Sequence, residues 1–132
     1  MILDTNFIIA LRSDAPDAAE KAAELEASAV PLRLPSVVVH ELYVGVGAGS
    51  DPTRNVREYE ALVGNKPVVP LDENIARRAG ALEGQHLASD TKPDLGLADA
   101  VVAATGIVYN EAVVTDDTTD FGSIDGLRIE TF

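Results

Sequence analysis

The sequence predicts an α/β domain: a mostly parallel central sheet of about five strands, layered between helices. Short apolar runs at Met1 to Leu3, Pro31 to Pro35, Lys66 to Leu71, Ala112 to Thr115 and Leu127 to Thr131 alternate with longer segments of helical period. Right-handed crossovers between parallel strands carry such helices to both sheet faces, which gives three layers, α/β/α. The 132 residues, 46% of them hydrophobic, fit a single domain over residues 1–132, because one core typically serves ~50 to 200 residues.

The elements follow in order. Met1 to Leu3 is a short buried strand that runs into Asp4-Thr5-Asn6, a helix-start sequence, with Phe7 to Arg12 as a brief helix. Asp14-Ala15-Pro16 opens a second helix whose Ala18, Ala22, Leu25 and Ala29 recur at helical spacing. After the Pro31 to Pro35 strand, Ser36 caps a helix to about Ala48, and Asp51-Pro52 starts another through Leu62. Asp72 caps a helix from Glu73 to Leu87 beyond the third strand. Ser89 to Leu95 is polar, with Asp, Lys and Pro, and reads as a mobile loop. Gly96 to Tyr109 is helical again, and strands four and five complete the sheet. There is no internal repeat, low-complexity tract or linker.

Composition narrows the function. With no Cys, disulfides, thiolate metal sites and cysteine nucleophiles are excluded. The chain opens with an acid at position 4 and has neither a basic, apolar leader nor a stretch of about 20 apolar residues, so a cytoplasmic protein without a membrane segment is expected. The formal net charge is −12, and only 3 of the 10 basic side chains are Lys. Such a surface resembles that of proteins from salt-accumulating, halophilic cytoplasms, where screening removes much of the self-repulsion. It also opposes broad attraction to a phosphate backbone, so any nucleic-acid site must be local or bridged by cations.

Most acids here lie on polar helix faces. Four do not: Asp4 ends the first strand, Asp117 follows Val113-Val114-Thr115, Glu41 falls on the stripe Val37, Val38, Val44, Gly45, and Asp99 on the stripe Val102, Ala103, Gly106. Each alone has a plain explanation as a cap, a turn residue or the edge of a helix face. Together they do not, since a core-facing carboxylate costs roughly several kcal/mol unless a charge or hydrogen bond meets it, and no basic side chain is close in sequence. In open parallel sheets ligands bind beyond the carboxyl ends of the strands, where strand order reverses, and Asp4 and Asp117 occupy such ends. Neighbouring carboxylates ~4 Å apart repel by about 4 kcal/mol at an effective dielectric near 20, so protonation or a cation must relieve them. An all-oxygen donor set points to Mg²⁺ or Mn²⁺ rather than Zn²⁺. Metal held by carboxylates commonly activates a water to attack a phosphodiester. Asn6, Thr115 and Thr118 sit beside the acids, able to orient that water or hold a phosphate oxygen, or else to cap and close turns. His40 and His86, 46 positions apart, are expected to be structural. Gly45-Val46-Gly47-Ala48-Gly49 ends a helix instead of following a strand, which excludes it as a phosphate-binding loop. Arg54 and Arg57, with Lys66, form a candidate RNA-contacting patch that Glu58 and Glu60 interrupt.

These residues resemble a known family. Ile2-Leu3-Asp4-Thr5-Asn6, His40-Glu41-Leu42, Leu97-Ala98-Asp99-Ala100 and Val114-Thr115-Asp116-Asp117-Thr118-Thr119-Asp120-Phe121 are similar, in order and spacing, to the motifs of PIN-domain ribonucleases, in particular VapC-type toxins. The likeness runs from residue 1 to 132. It implies a PIN-like α/β/α fold and an acid set of Asp4, Glu41, Asp99 and Asp117 that is both catalytic and metal-ligating, with Asn6 and Thr115 as polar helpers. It also implies Mg²⁺- or Mn²⁺-dependent endoribonuclease activity on RNA, a homodimer, and a small VapB-like antitoxin whose tail occupies the active groove. Asp116 departs from the pattern, standing where such toxins often carry a basic or amide residue, and Asp120 reads as a turn and structural acid. Two rivals remain. In a phosphatase Asp4 would be the nucleophile, but such enzymes want a second acid two positions on, where Asn6 stands. A non-catalytic PIN-like binding module would not need the complete acid set.

Overall fold

The computed structural model describes residues 1–132. Five strands alternate with six helices: β1 (Ile2–Leu3), α1 (Thr5–Arg12), α2 (Pro16–Ser28), β2 (Leu34–Pro35), α3 (Ser36–Ala48), α4 (Pro52–Val63), β3 (Val68–Val69), α5 (Glu73–Leu87), α6 (Leu97–Tyr109), β4 (Val113–Val114) and β5 (Ile129–Glu130). A 3-10 turn at Phe121–Ser123 lies in the connection from β4 to β5. No helix is long and apolar enough to cross a membrane.

All strand pairings are parallel. β1, β4 and β5 form one ladder and β2 and β3 another. A single bridge, Ile2 to Arg33, joins them: Leu3 N donates to Arg33 O at 3.0 Å and Arg33 N to Met1 O at 2.9 Å. The layer therefore runs β3-β2-β1-β4-β5. From β1 the chain winds outward to β3, then returns past β1 to β4, so strand order reverses between β1 and β4. Crossovers in both directions carry helices to both faces.

The strands are shorter than the sequence pattern suggests, at two residues each. Proline explains much of this: Pro31, Pro35, Pro67 and Pro70 flank or end β2 and β3, and none can donate to a ladder. The helix caps match expectation, with Asp51 accepting from Arg54 N and Asp72 from Ile75 N. α2 ends one residue early. Ala29 takes the left-handed conformation as its C-cap, and the inward stripe is Ala18, Lys21 and Leu25. Lys21 is buried because its amine pairs with Glu130 at 2.9 Å and Glu24 at 3.3 Å.

Ser89 to Leu95 is not a free loop. Ser89 Oγ accepts from Thr91 N and Lys92 N, Lys92 Nζ pairs with Asp125 at 3.0 Å, and Leu95 is buried. Local polar bonds substitute here for regular structure.

The core is one cluster that takes in Ile2, Leu3, Val113 and Val114 from the sheet, Phe7 and Ile8 from α1, and most of α6 from Ala100 to Ala104. Phe7 packs edge-on against Phe132, with ring centroids 5.1 Å apart. α6 is the most deeply embedded helix, and its approach to the sheet relies on Gly106. A Cβ there would stand 3.0 Å from each of Glu111 O, Val113 Cγ2 and Leu127 Cδ1. Gly106→Ala is therefore expected to lower stability by about 1 to 2 kcal/mol in urea unfolding: overpacking costs ~1 to 3 kcal/mol and the better helix propensity returns less than ~1. A more stable variant would show that the helix is free to shift.

Candidate metal centre

The site is built where strand order reverses. At the end of β1, Asp4 N still donates to Val114 O at 3.2 Å, while the Asp4 side chain caps α1 by accepting from Thr5 N at 2.8 Å. Asp4 is only 4% exposed. Its second carboxylate oxygen accepts from Thr115 Oγ1 at 2.8 Å, and the same hydroxyl accepts from Asp117 N at 3.0 Å. Asp117 Oδ1 in turn accepts from Asp120 N at 3.0 Å. On the other side of Asp4, Thr5 Oγ1 donates to Glu41 Oε1 at 2.6 Å, tying α1 to α3. Two threonine hydroxyls thus link three acids that lie up to 113 positions apart in the chain.

Asp99 enters from the first turn of α6, partly buried. Oxygens of Asp99, Asp117 and Asp120 lie within 4.8 Å of one another. Two oxygens that share an ion at ~2.1 to 2.5 Å from each sit about 3 to 5 Å apart, so this triangle suits a divalent cation. None of Asp4, Glu41, Asp99, Asp117 or Asp120 takes part in an ion pair with a basic side chain. The oxygen-only donor set and the lack of a cationic partner both fit a hard cation.

Proton affinities record the crowding. Burial pushes the Asp4 carboxyl up to about 6, against the pull of the Thr115 and Thr5 hydrogen bonds, with Glu41 and Asp116 adding repulsion. Burial likewise pushes Asp99 up to about 6, followed by the charges of Asp4, Asp117, Asp120 and Glu41. Asp120 is raised by burial and by Asp117, and His86 opposes this. The five acids share one electrostatic environment.

The four acids singled out from sequence are brought together, but Glu41 is not core-facing. The buried stripe of α3 is Val38, Leu42 and Val46, whereas Val44, Gly45 and Glu41 are exposed. Glu41 borders the cup from the flank, held by Thr5, and lines a groove with Val37, His40, Val44, Leu97 and Ala98. His40 is likewise exposed at that groove, not structural in the core. Asn6 is exposed and donates to Asp116 Oδ1 at 3.2 Å, so the motif amide meets the one divergent acid. Thr118 acts through its backbone, with N bonded to Asp116 O and O to Gly122 N. Arg54 is paired with Glu58 at 2.9 Å, and Arg57 is exposed on α4 without an ion-pair partner. The arginines do not reach the acids.

Sequence reasoning missed Thr5 and Asp120. Asp120 stands three positions after Asp117, a spacing that reads as a turn, and the structure makes it part of the acid triangle. Nothing local marks the Thr5 hydroxyl, whose acceptor lies 36 positions on.

A family model described as PIN domain matches residues 1–127. No curated protein matches the chain. Among solved structures, the chain is similar to one in VapBC2 from Rickettsia felis bound to a DNA fragment from the promoter, with TM-score 0.87 and 21% identity, covering 99% of this chain and 97% of that one. DNA-bound VapBC from Salmonella typhimurium gives TM-score 0.85 and 25% identity over 98% and 96% of the two chains. VapBC-1 from nontypeable Haemophilus influenzae gives 0.83 and 22% over 98% and 96%.

The raised carboxyls set a pH dependence for the metal-free protein. Folded Asp4 and Asp99 hold protons up to about pH 6, whereas an unperturbed aspartate releases its proton near 3.8. Between those limits the folded state binds more protons than the unfolded one, so stability falls as pH rises through the window. Melting in EDTA is expected to show a higher Tm near pH 5 than at pH 7, with a loss on the order of 3 kcal/mol across the window. Asp4→Asn should flatten that slope. An equal slope in the variant would assign the effect to the general acidic surface.

Proposed function

The chain belongs to the PIN domain family, and on that premise we propose that it is a divalent-metal-dependent endoribonuclease, the toxin half of a VapBC-type toxin-antitoxin pair. The observation that carries the reading is the Asp99, Asp117 and Asp120 triangle beside buried Asp4, with no basic side chain to neutralise it. In this reading residues 1–132 are a single nuclease domain.

Asp4, Asp99 and Asp117 would hold Mg²⁺ or Mn²⁺, with Asp120 as an added ligand and Glu41 sharing the ion or ordering the attacking water. A divalent ion held there would supply Lewis-acid chemistry, making water a better nucleophile and stabilising the leaving oxygen of an RNA phosphodiester. The chain's own part is placement. Thr115 fixes Asp4 relative to Asp117 through one hydroxyl, and Thr5 aims Glu41 from the flank. Low local dielectric then strengthens every charge interaction in the cup. The exposed backbone and side chain of Asn6 at the rim suit a phosphate contact once Asp116 releases its amide. Arg57, exposed and unpaired, is the better candidate of the two α4 arginines for gripping RNA.

A VapB-like antitoxin is supported by structural neighbours that are VapBC complexes. The groove of Val37, Val44 and Leu97 beside Glu41 is where its tail would reach the acids. The protein acts in the cytoplasm and as a homodimer.

Purified protein is expected to cleave total RNA with Mn²⁺ and not with EDTA. Asp4→Asn and Asp99→Asn should each lose about 10³-fold, the equivalent of several kcal/mol of transition-state stabilisation, while keeping the wild-type circular dichroism. Undiminished cleavage by Asp4→Asn rejects the assignment. Saturating Mn²⁺ should also stabilise the wild type by about 2.7 kcal/mol at 100 times Kd, and Asp99→Asn far less. A binding module without a metal site would show no such gain.

A further inference from the structure

The imidazole of His86 lies outside the acid set. It sits in the last turn of α5, where a charge on it would complement the helix dipole, yet it is only 2% exposed. A buried imidazole needs a partner for its polar edge. Its Nδ1 is 2.9 Å from the carbonyl oxygen of Pro93. A carbonyl only accepts, so Nδ1 carries the proton and the ring's orientation is set.

The position of that carbonyl gives the bond its importance. From Pro93 the chain passes through Leu95, 4% exposed, and the cap residue Gly96 into the first turn of α6, where Asp99 stands. The anchored carbonyl and the acid are six positions apart. No strand pairing holds this segment, and Gly96 provides no side-chain cap for α6. The other ties of the turn, Ser89 to Lys92 and Lys92 to Asp125, lie before Pro93, between half-buried side chains and an exposed Asp125. His86 also lies within electrostatic reach of Asp120, which places the ring near the same triangle from the α5 side.

We propose that His86 is a positioning residue for the metal centre: its bond to Pro93 fixes the segment that delivers Asp99 to Asp117 and Asp120. The inference rests on the metal-dependent reading above. Outer partners of this kind orient ligands, and their loss typically weakens metal binding ~10- to 100-fold.

Three variants test it. In His86→Asn the side-chain amide stands close to the place of Nδ1, in His86→Gln it stands near Nε2, and His86→Phe fills the space without a donor. On metal-free protein titrated with Mn²⁺, Kd is expected to rise 10- to 100-fold in the Gln and Phe variants and to stay near wild type in the Asn variant. Hydrogen exchange in EDTA should show faster exchange confined to the amides of Asp94 to Asp99 in the Gln and Phe variants alone. If His86→Phe fails to fold, the Asn and Gln pair decides. Lowered Tm with unchanged Kd and unchanged exchange in that segment overturns the proposal and leaves His86 a packing residue. Wild-type protein that binds no Mn²⁺ removes the metal reading itself, and this inference with it.

Discussion

Negative charge gathered without a cationic partner is the constraint on which the rest of the structure depends. Two of the five acids in the cup have carboxyls raised to about 6, so the folded chain holds them against both desolvation and mutual repulsion. The cost is borne by the core. Ile2, Leu3, Val113 and Val114 are fully buried immediately before Asp4 and Thr115, and α6 lies embedded below Asp99. Rigid apolar packing ends at Leu3, next to Asp4, and at Val114, three positions before Asp117. Such sites give up stability in exchange for a prepared geometry.

Hydroxyls do the joining that cations do elsewhere. A Lys or Arg at position 5 or 115 would neutralise the cup and fill it, whereas a threonine donates one hydrogen bond and leaves the charge intact. Thr115 donates to Asp4 and accepts from Asp117 N, so a single oxygen sets the spacing between two acids. β-branching adds to this: threonine has few χ1 choices in a strand end or a first helical turn, and the hydroxyl stays where the backbone puts it.

Much of this was legible because it is local. Caps such as Asp51 and Asp72 declare themselves by residue type and spacing, and parallel strands by apolar runs between helices. Asp4 and Asp117 could be placed at strand ends from the pattern alone. Helix α3 misled, since Val37, Val38, Val39, Leu42, Val44 and Val46 are all aliphatic and several stripes fit them equally. Only tertiary packing chose Val38, Leu42 and Val46. Asp120 and the Ser89 to Leu95 segment failed for the opposite reason. Their polar composition fits solvent exposure, and what lies beside them in the fold, the Asp99 carboxylate in the first turn of α6 and Asp125 in the connection from β4 to β5, is remote in sequence.

Charge balance outside the cup limits how an acidic chain, as the nuclease proposed above, would meet a phosphate backbone. Arg12, Lys21, Arg33, Arg54, Arg77 and Lys92 each pair with a carboxylate. Arg128 and Lys66 are taken by backbone carbonyls, which leaves Arg57 and Arg78 as the cations without a hydrogen-bonded acceptor. Two free arginines cannot offset a net charge of −12, so long-range attraction to a polyanion is excluded and contact has to begin within a Debye length, about 8 Å at physiological salt. At that range a divalent ion in the cup would be the largest positive charge on its side of the molecule. On the nuclease reading proposed above, recognition of the phosphodiester and its activation would depend on the same ion, and removal of the metal should abolish binding along with cleavage.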